Sequence, residues 1–319
     1  DVETLLKRFS LDLSRVGFIK NIFSPKISLF RRLFETRKFD VIIVLSDGSI
    51  PLSLSGKTFI HLQQPIFFSN LDLKTKFKIS RINQFFCNSF YSKSYVDKAL
   101  KINSTVLYPP IRIKKKNLKK ENIILHVGRF RVKDVTVSRI PVGDYKKQKV
   151  MVDTFRKMID MGLKNWRFVL SVSVQDKDRT EFQDLEKEAK GYPIEFLINK
   201  TNDELWDIYS KAKIYWHASG FGEDLKKYPE YAEHFGISTV EAMGAGAVPV
   251  VISAGGQKEI VEDGKSGFLW DSLEELAQKT QKLTEDQNLW QTMSKSAVKR
   301  AERFAGDRFC RELDKIIND

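Results

Sequence analysis

The sequence has 319 residues, of which 42% are hydrophobic and 30% are charged, which excludes a disordered or fibrous chain and suffices for two globular domains. No apolar run approaches the roughly 18 residues of a membrane-spanning helix, and no leader opens the chain, so we expect a cytoplasmic protein. A net charge of +13 attracts anionic partners, but no recognition motif for nucleic acid accompanies it, so nucleic acid is not an expected partner.

The first third of the chain predicts a parallel sheet, because short apolar runs alternate with stretches of helical period. The predicted strands are 40–45, 58–62 and 84–87, and the predicted helices are 27–38 and 91–101. Two consecutive prolines, Pro109 and Pro110, then interrupt both periods. We therefore predict a Rossmann-like domain over residues 1–118, which we expect to be truncated because the chain begins with Asp1 rather than Met.

A lysine-rich segment, residues 112–120, follows these prolines, and six of its nine residues are basic. Such a density of charge is typical of exposed chain. The sequence leaves two interpretations open: a solvated linker between domains, or a patch that faces an anionic membrane surface.

The remaining chain predicts a second doubly wound α/β domain over residues 119–303. Its predicted strands are 122–127, 166–172, 194–198, 214–217 and 248–252, and its predicted helices are 147–161, 178–190, 203–211 and 236–244. From residue 273 to residue 318 the pattern stays helical, with a bend predicted at Gly306. We expect the last helix, 304–319, to pack back toward the first domain.

Cations are predicted at one edge of the second sheet. Gly128 and Arg129 follow its first strand, and Lys146 and Lys147 precede the next helix. The carboxyl ends of strands and the starts of the following helices share that edge, where open α/β sheets bind ligands. Arginine offers a planar donor fork that suits phosphate oxygens, so the sequence indicates an anion site there.

Two acids, Glu233 and Glu241, lie eight positions apart around a Phe-Gly-Ile turn. If a helix begins at Gly236, the backbone N–H groups of Phe235, Gly236 and Ile237 lie between the two carboxylates and attract an anion. Carboxylates suit hydroxyl groups, and helix starts suit phosphate. A nucleotide diphospho-sugar offers both groups.

Two further positions are candidates. Gly255 and Gly256 follow a predicted strand, and their lack of side chains allows a ligand or another backbone segment to approach closely. His61 ends a strand of the first domain and is a candidate to face the same cleft. The four histidines of the chain lack metal-ligand spacing, so we predict no metal site and no cofactor.

The chain resembles the retaining glycosyltransferases of family 4, which have the GT-B fold. The resemblance is carried by residues 88–89, 108–110, 128–130, 146–147, 233–243, 255–256, 259–261 and 263–269. It implies two Rossmann-like domains that face each other across a cleft, the first of them incomplete here. The Glu-His-Phe-Gly-Ile sequence from Glu233 adds a weaker likeness to GDP-mannose-dependent mannosyltransferases.

The resemblance implies roles for these residues. Arg129 and Lys146 would neutralise the diphosphate, Glu241 would bind the ribose, and Glu233 with the amides of 235–237 would hold the sugar. His61 would lie near the sugar and belong to the catalytic set. The implied donor-binding set also contains Gly128, Lys147, Gly255 and Gly256.

The expected activity is metal-independent transfer of a hexose, with mannose favoured, from a GDP- or UDP-linked donor. The expected acceptor is a glycan or a polyprenyl-linked saccharide at the cytoplasmic membrane face. Family members begin with a glycine-bearing strand and loop that has no counterpart in this sequence. The alternative is therefore a catalytically incomplete module that binds a nucleotide sugar.

Overall fold

The structure, a computed structural model, describes residues 13–67, 70–114, 116–131 and 144–318. These residues form two compact units. The first contains the residues up to Asn88 and Ser92–Val106, and the second contains Ser89–Tyr91 and the residues from Leu107 onward. The domain limits predicted above, and the packing of the last helix toward the first domain, stay predictions.

The first unit contains a parallel sheet. Its described strands are β1 (Val41–Ser46), β2 (Lys57–Leu62), β3 (Gln84–Cys87) and β4 (Thr105–Val106), and its described helices are α1 (Leu29–Thr36), α2 (Leu73–Ser80) and α3 (Phe90–Leu100). The strands lie side by side in chain order. Parallel neighbours need crossover connections, which α2 and α3 supply between β2, β3 and β4. Apolar side chains of β2 and β3 pack against α3 to form the core of this unit.

The second unit contains a parallel sheet of six described strands. The strands are β5 (Glu121–Phe130), β6 (Arg167–Val174), β7 (Ile194–Ile198), β8 (Ala212–His217), β9 (Val248–Ile252) and β10 (Phe268–Trp270). The helices between them are α4 (Gln148–Asp160), α5 (Arg179–Ala189), α6 (Asn202–Lys211), α7 (Ile237–Gly244) and α8 (Gln257–Ile260). Three more follow the last strand: α9 (Leu273–Glu285), α10 (Gln287–Ala301) and α11 (Gly306–Asn318).

The order of the strands in the second sheet is β10-β9-β8-β5-β6-β7. The chain builds outward from β5 through β6 to β7, and then crosses back to add β8 on the other side of β5. In open parallel sheets, ligands bind outside the carboxyl ends of the strands where the order reverses in this way. Those ends are Gly128–Phe130 in β5 and His217 in β8.

Apolar side chains cover both faces of this sheet. On one face, Phe155 of α4 packs with Phe168 and Trp216. On the other face, Tyr215 of β8 packs in a cluster with Tyr209 of α6 and several residues of α7. Burial of such large aromatic groups is a main source of stability, and it fixes α4, α6 and α7 on the sheet.

Three lysines of the lysine-rich segment contact the second unit, whereas several other described residues of the segment are exposed, so both interpretations of the segment stay open. Lys114 Nζ lies 2.6 Å from Asp203 Oδ1, and Lys116 Nζ lies 2.6 Å from Asp207 Oδ1. Lys120 donates to backbone carbonyl groups at the ends of α6 and α7. These cations therefore pair with acids of α6 and with helix C-termini, where the helix dipole favours positive charge.

The long helical pattern near the C-terminus is divided more often than predicted. Asp286 separates α9 from α10, and its side chain caps α10 by accepting from the N–H groups of Asn288 and Leu289. The predicted bend at Gly306 is confirmed, since α11 begins there. In the described part of the chain, no helix is both long enough and apolar enough to cross a membrane.

Candidate functional site

A buried polar network joins the ends of β5 and β8 to the start of α4. Gln148, the first residue of α4, donates from Nε2 to the carbonyl oxygen of Arg129 at 3.1 Å and lies 3.3 Å from His126 Nε2. His126 Nδ1 lies 3.1 Å from the carbonyl oxygen of Trp216. Burial lowers the pKa of His126 to about 3, so the ring is neutral and carries its proton on Nδ1. The start of α4 is therefore fixed against both strand ends.

Lys146, just before α4, forms an ion pair with Glu233. Lys146 Nζ lies 2.6 Å from Glu233 Oε2, and His217 Nε2 lies 3.0 Å from the same oxygen. Burial opposes ionisation of Glu233, but the charge of Lys146 and the hydrogen bonds from His217 and Lys146 hold its pKa well below the usual value. Glu233 is thus a carboxylate at neutral pH.

Two glycines hold the backbone that carries Glu233. Gly256 N–H donates to the carbonyl oxygen of Glu233 at 2.8 Å. A Cβ atom on Gly255 would overlap that carbonyl oxygen, and one on Gly256 would lie 2.5 Å from Phe235 Cα. The close approach predicted for this glycine pair is therefore made by backbone. The direct binding of a ligand by Gly255 and Gly256 stays a prediction.

The start of α7 presents backbone donors. Gly236 precedes α7 with φ +118°, a conformation that favours glycine, and Phe235 is buried. Within the described residues, the N–H groups of Phe235, Gly236 and Ile237 donate to no protein acceptor. The side chain of Ile237 is half exposed. This helix start, next to Glu233 in the chain, has the donors that an anion requires.

Glu241 lies on the second turn of α7 and accepts a hydrogen bond from a tyrosine. Tyr209 of α6 donates to Glu241 Oε2 at 3.0 Å. Burial raises the pKa of Glu241 to about 7, although the hydrogen bond from Tyr209 opposes the rise. The Tyr215 hydroxyl donates to Ser238 Oγ at 2.7 Å. Burial raises the pKa of Tyr215, and the charges of Glu233 and Glu241 raise it further.

The structure separates the two adjacent lysines. Lys147 Nζ lies 2.5 Å from Glu223 Oε1, whereas Lys146 pairs with Glu233. Lys147 also has φ +61°, which turns the chain directly before α4. Each lysine thus has its own carboxylate partner, and Lys146 is the one beside the start of α7.

Arg129 lies near this cluster through its backbone, which contacts Gln148. Its side chain is exposed, and strand alternation places it on the same sheet face as Leu125 and Val127. Gly128 has no room for a side chain, because a Cβ atom would lie 2.9 Å from His126 Nε2. Both residues are at the predicted sheet edge, and their contacts with a ligand stay predictions.

His61 belongs to the first unit, where it is buried in β2. Burial lowers its pKa to about 4, so the ring is neutral. Its Nε2 atom has no hydrogen-bond partner among the described residues. The proposed contact of His61 with a sugar stays a prediction. Among the described residues, no three His, Cys, Asp or Glu side chains are grouped so that they could hold a metal ion.

Several contacting residues were not predicted from the sequence, among them His217, Tyr209 and Glu223. His217 lacks metal-ligand spacing, but its place at the end of a predicted strand is a signal for the site. Tyr209 and Glu223 lie in an ordinary amphipathic helix and in a loop, so no local pattern distinguishes them.

Comparison with known proteins identifies the family. Residues 109–300 match the family Glycosyl transferases group 1. A GDP-Man:Man(3)GlcNAc(2)-PP-Dol alpha-1,2-mannosyltransferase of Dictyostelium discoideum is 27% identical over 232 residues, which cover 66% of this chain and 41% of that protein. A D-inositol 3-phosphate glycosyltransferase of Corynebacterium kroppenstedtii is 32% identical over 143 residues, which cover 44% of this chain and 29% of that protein. The chain thus spans less than half the length of these curated relatives.

Solved structures share the fold. HepE of Anabaena, in complex with UDP, matches with a TM-score of 0.65 and 17% identity over 91% of this chain and 81% of that chain. A glycosyltransferase of Rickettsia africae matches with a TM-score of 0.68 and 14% identity over 96% of this chain and 86% of that chain. The predicted α/β fold of GT-B type is confirmed, and because the family match covers more than half of the sequence, the chain belongs to the glycosyl transferases group 1.

Proposed function

We propose that the protein is a retaining, metal-independent glycosyltransferase that moves a hexose from a nucleotide diphospho-sugar to a saccharide or a lipid-linked acceptor. The observation that carries the proposal is the contact of Lys146 with Glu233, which the chain follows directly with N–H groups at the start of α7 that donate to no acceptor among the described residues. A cation in contact with a carboxylate, and backbone donors that follow this carboxylate directly in the chain, match a ligand with both phosphate and hydroxyl groups.

In the proposed reaction, the bond between the anomeric carbon and the phosphate oxygen breaks as the acceptor hydroxyl attacks from the same face. The acceptor oxygen bonds to the anomeric carbon, and its proton passes to the departing phosphate. Negative charge grows on the diphosphate, and Lys146, Arg129 and the N–H groups at the start of α7 stabilise it. Glu233 holds the hydroxyl groups of the sugar, and Glu241 accepts from the ribose.

Mannose carried by GDP is the proposed donor. Support comes from the five residues 233–237, whose sequence resembles that of mannosyltransferases, and from the similarity to the Dictyostelium mannosyltransferase over 66% of this chain. The HepE structure contains UDP, so UDP-linked sugars belong in the same test.

The proposed activity is tested by incubating the full chain with GDP-mannose, UDP-glucose or UDP-N-acetylglucosamine and a polyprenyl-linked oligosaccharide acceptor. We expect product from one donor, an unchanged rate when EDTA is added, and the anomeric configuration of the donor in the product. Inversion of that configuration would contradict the retaining mechanism. Binding of a nucleotide sugar without transfer to any acceptor would favour a module that only binds.

Contact with an anionic membrane surface is part of the proposal. The net charge is +13, and α2 exposes Leu73 and Phe77, which are 84% and 58% accessible and four positions apart. Lys74, Lys76 and Lys78 lie in the same helix. Apolar and basic side chains together match an anionic lipid interface.

Sedimentation with vesicles tests this surface. The protein should bind vesicles that contain phosphatidylglycerol more strongly than vesicles of phosphatidylcholine alone. A variant with Leu73→Ser and Phe77→Ser should lose most of that binding, whereas Met161→Ser, a change at an equally exposed residue of the second unit, should not. Equal binding to both kinds of vesicle would contradict this part of the proposal.

A further inference from the structure

The two oxygens of the Glu233 carboxylate have different surroundings. Both Lys146 Nζ and His217 Nε2 contact Oε2, at 2.6 Å and 3.0 Å. Among the described residues, Oε1 accepts no hydrogen bond. One oxygen is therefore held by the protein, and the other is available to a ligand.

The two partners of Oε2 differ in length and in burial. Lys146 is a long side chain before α4 and is 13% exposed, whereas His217 is the last residue of a buried strand and is 1% exposed. Lysine carries a flexible stem and a charge that phosphate attracts. If Lys146 turns to a bound diphosphate, His217 is the side chain that remains on Glu233.

The geometry fixes the proton of His217. The ring is enclosed, and its Nδ1 atom has no partner among the described residues. A carboxylate oxygen 3.0 Å from Nε2 requires a proton on Nε2, since two lone pairs would repel each other. The charged groups that face the ring are Glu233 and Lys146, and the ring of His126, which is neutral, lies 6.3 Å away. His217 is therefore a neutral donor to Glu233.

We propose that His217 is a positioning residue that keeps Glu233 Oε2 fixed, so that Oε1 faces the donor sugar while Lys146 exchanges from Glu233 to the diphosphate. This inference rests on the proposed function. It assigns no substrate contact to His217, and it separates the binding of the sugar, which depends on His217, from the binding of the nucleoside diphosphate, which does not.

The test uses two variants and a matched control. His217→Leu removes the donor. In His217→Gln, the side-chain amide nitrogen can reach the place of Nε2. Ser219→Ala changes a second buried residue, whose Oγ lies 3.4 Å from the same nitrogen. Thermal unfolding of each variant shows whether it folds.

For each variant we would measure the transfer rate, and the dissociation constants of GDP, UDP and the nucleotide sugar that the wild type uses. His217→Leu should lower kcat about 100-fold, the loss typical of a misplaced binding group. It should also raise the dissociation constant of the nucleotide sugar about tenfold. The dissociation constant of the nucleoside diphosphate should stay within about twofold of wild type. His217→Gln should recover at least about tenfold in kcat, and Ser219→Ala should match wild type.

Three results would decide against the inference. His217→Leu could transfer sugar at the wild-type rate. It could weaken the binding of nucleoside diphosphate and of nucleotide sugar equally. His217→Gln could remain folded and transfer sugar as slowly as His217→Leu. Any of these, in an active wild type, would overturn the role of His217 and leave the proposed function intact. A wild-type chain that binds no nucleotide and transfers no sugar would instead overturn the proposed function, and the inference with it.

Discussion

Lys146 Nζ and Glu233 Oε2 lie 2.6 Å apart, so the cation and the acid proposed to hold two ends of one donor neutralise each other. Binding of a diphosphate must draw Lys146 away from this carboxylate. Under the proposed function, the ion pair therefore competes with the phosphate, while Glu233 is still needed for the sugar.

This competition predicts that Glu233→Gln has opposite effects on the affinity for nucleoside diphosphate and on the rate of transfer. Without the carboxylate charge, Lys146 is free for phosphate, so GDP or UDP should bind about fivefold more tightly, which corresponds to about 1 kcal/mol. Transfer should fall at least about 100-fold, because the sugar loses a charged acceptor. Isothermal titration and a transfer assay measure the two effects. Weaker binding of both nucleotides would show that Lys146 and Glu233 do not compete in this way.

The raised pKa of Glu241 predicts a dependence of stability on pH. Its folded pKa of about 7 exceeds its unfolded value of 4.5, because of burial. The folded state therefore holds a proton that the unfolded state releases between these pH values, and this contribution to stability is lost as the pH rises through the window. Glu241→Gln should abolish this pH-dependent loss of stability, because glutamine does not ionise. The free energy of unfolding of the variant, relative to that of wild type, should be higher at pH 8 than at pH 5 by on the order of 2 kcal/mol.

Urea unfolding at both pH values measures this difference. Glu186→Gln, a change at an exposed acid of α5, is the control and should give the same difference from wild type at both pH values. A Glu241→Gln difference that does not change with pH would show that Glu241 ionises normally in the folded protein.

The packing of Gly255 predicts that alanine there disturbs Glu233. Gly255 has φ +59°, and a Cβ atom would overlap the carbonyl oxygen of Glu233. Gly264 has φ +72° but no atom within 4 Å of its Cβ position, so Gly264→Ala measures backbone strain alone. That strain is about 1 kcal/mol. Gly255→Ala should lower the free energy of unfolding by at least about 2 kcal/mol more than Gly264→Ala does, because the added methyl group overpacks the site. It should also lower the transfer rate.

Denaturant unfolding and the transfer assay compare the two glycine variants. Equal losses of stability in Gly255→Ala and Gly264→Ala would mean that the chain near Glu233 has room to relax. The transfer rate of Gly264→Ala should equal that of wild type.

The ion pair of Lys147 predicts a minor role in transfer for this lysine. Its Nζ is neutralised by Glu223 at 2.5 Å, and its backbone has φ +61°. Lys147→Gly removes the pair and relieves the backbone strain, so the stability should change by less than about 1 kcal/mol. The transfer rate should stay within about threefold of wild type. A loss as large as that of a Lys146 variant would assign the phosphate contact to both lysines.

Most elements of the fold could be predicted because they depend on local patterns. The strands β6, β8 and β9 are mostly apolar and buried, and the helices between them have a clear period. The sequence did not predict α2, β4, α8 or β10. α2 is short and rich in lysine, and the other three elements have two to four residues, so each is too short for its pattern to be recognised.

The candidate site could be predicted only in part. The acids and cations stand out because their chemistry is unusual at a helix start and at a strand end. The contacts between them could not be predicted, because Lys146 and Glu233 are 87 positions apart. A local sequence pattern relates only residues that lie a few positions apart. The role of the glycine pair was also hidden, because a close approach by backbone and one by ligand require the same residue type.

The transfer rate of Lys146→Ala in single turnovers, with saturating donor and acceptor, tests the central claim most directly. The exposed Lys164→Ala, in the same unit, is the matched control. We predict that Lys146→Ala transfers at least about 100-fold more slowly than wild type, the loss typical of removing one stabilising group at a developing charge, and that Lys164→Ala is unchanged. A folded Lys146→Ala protein that transfers sugar at the wild-type rate would contradict the account.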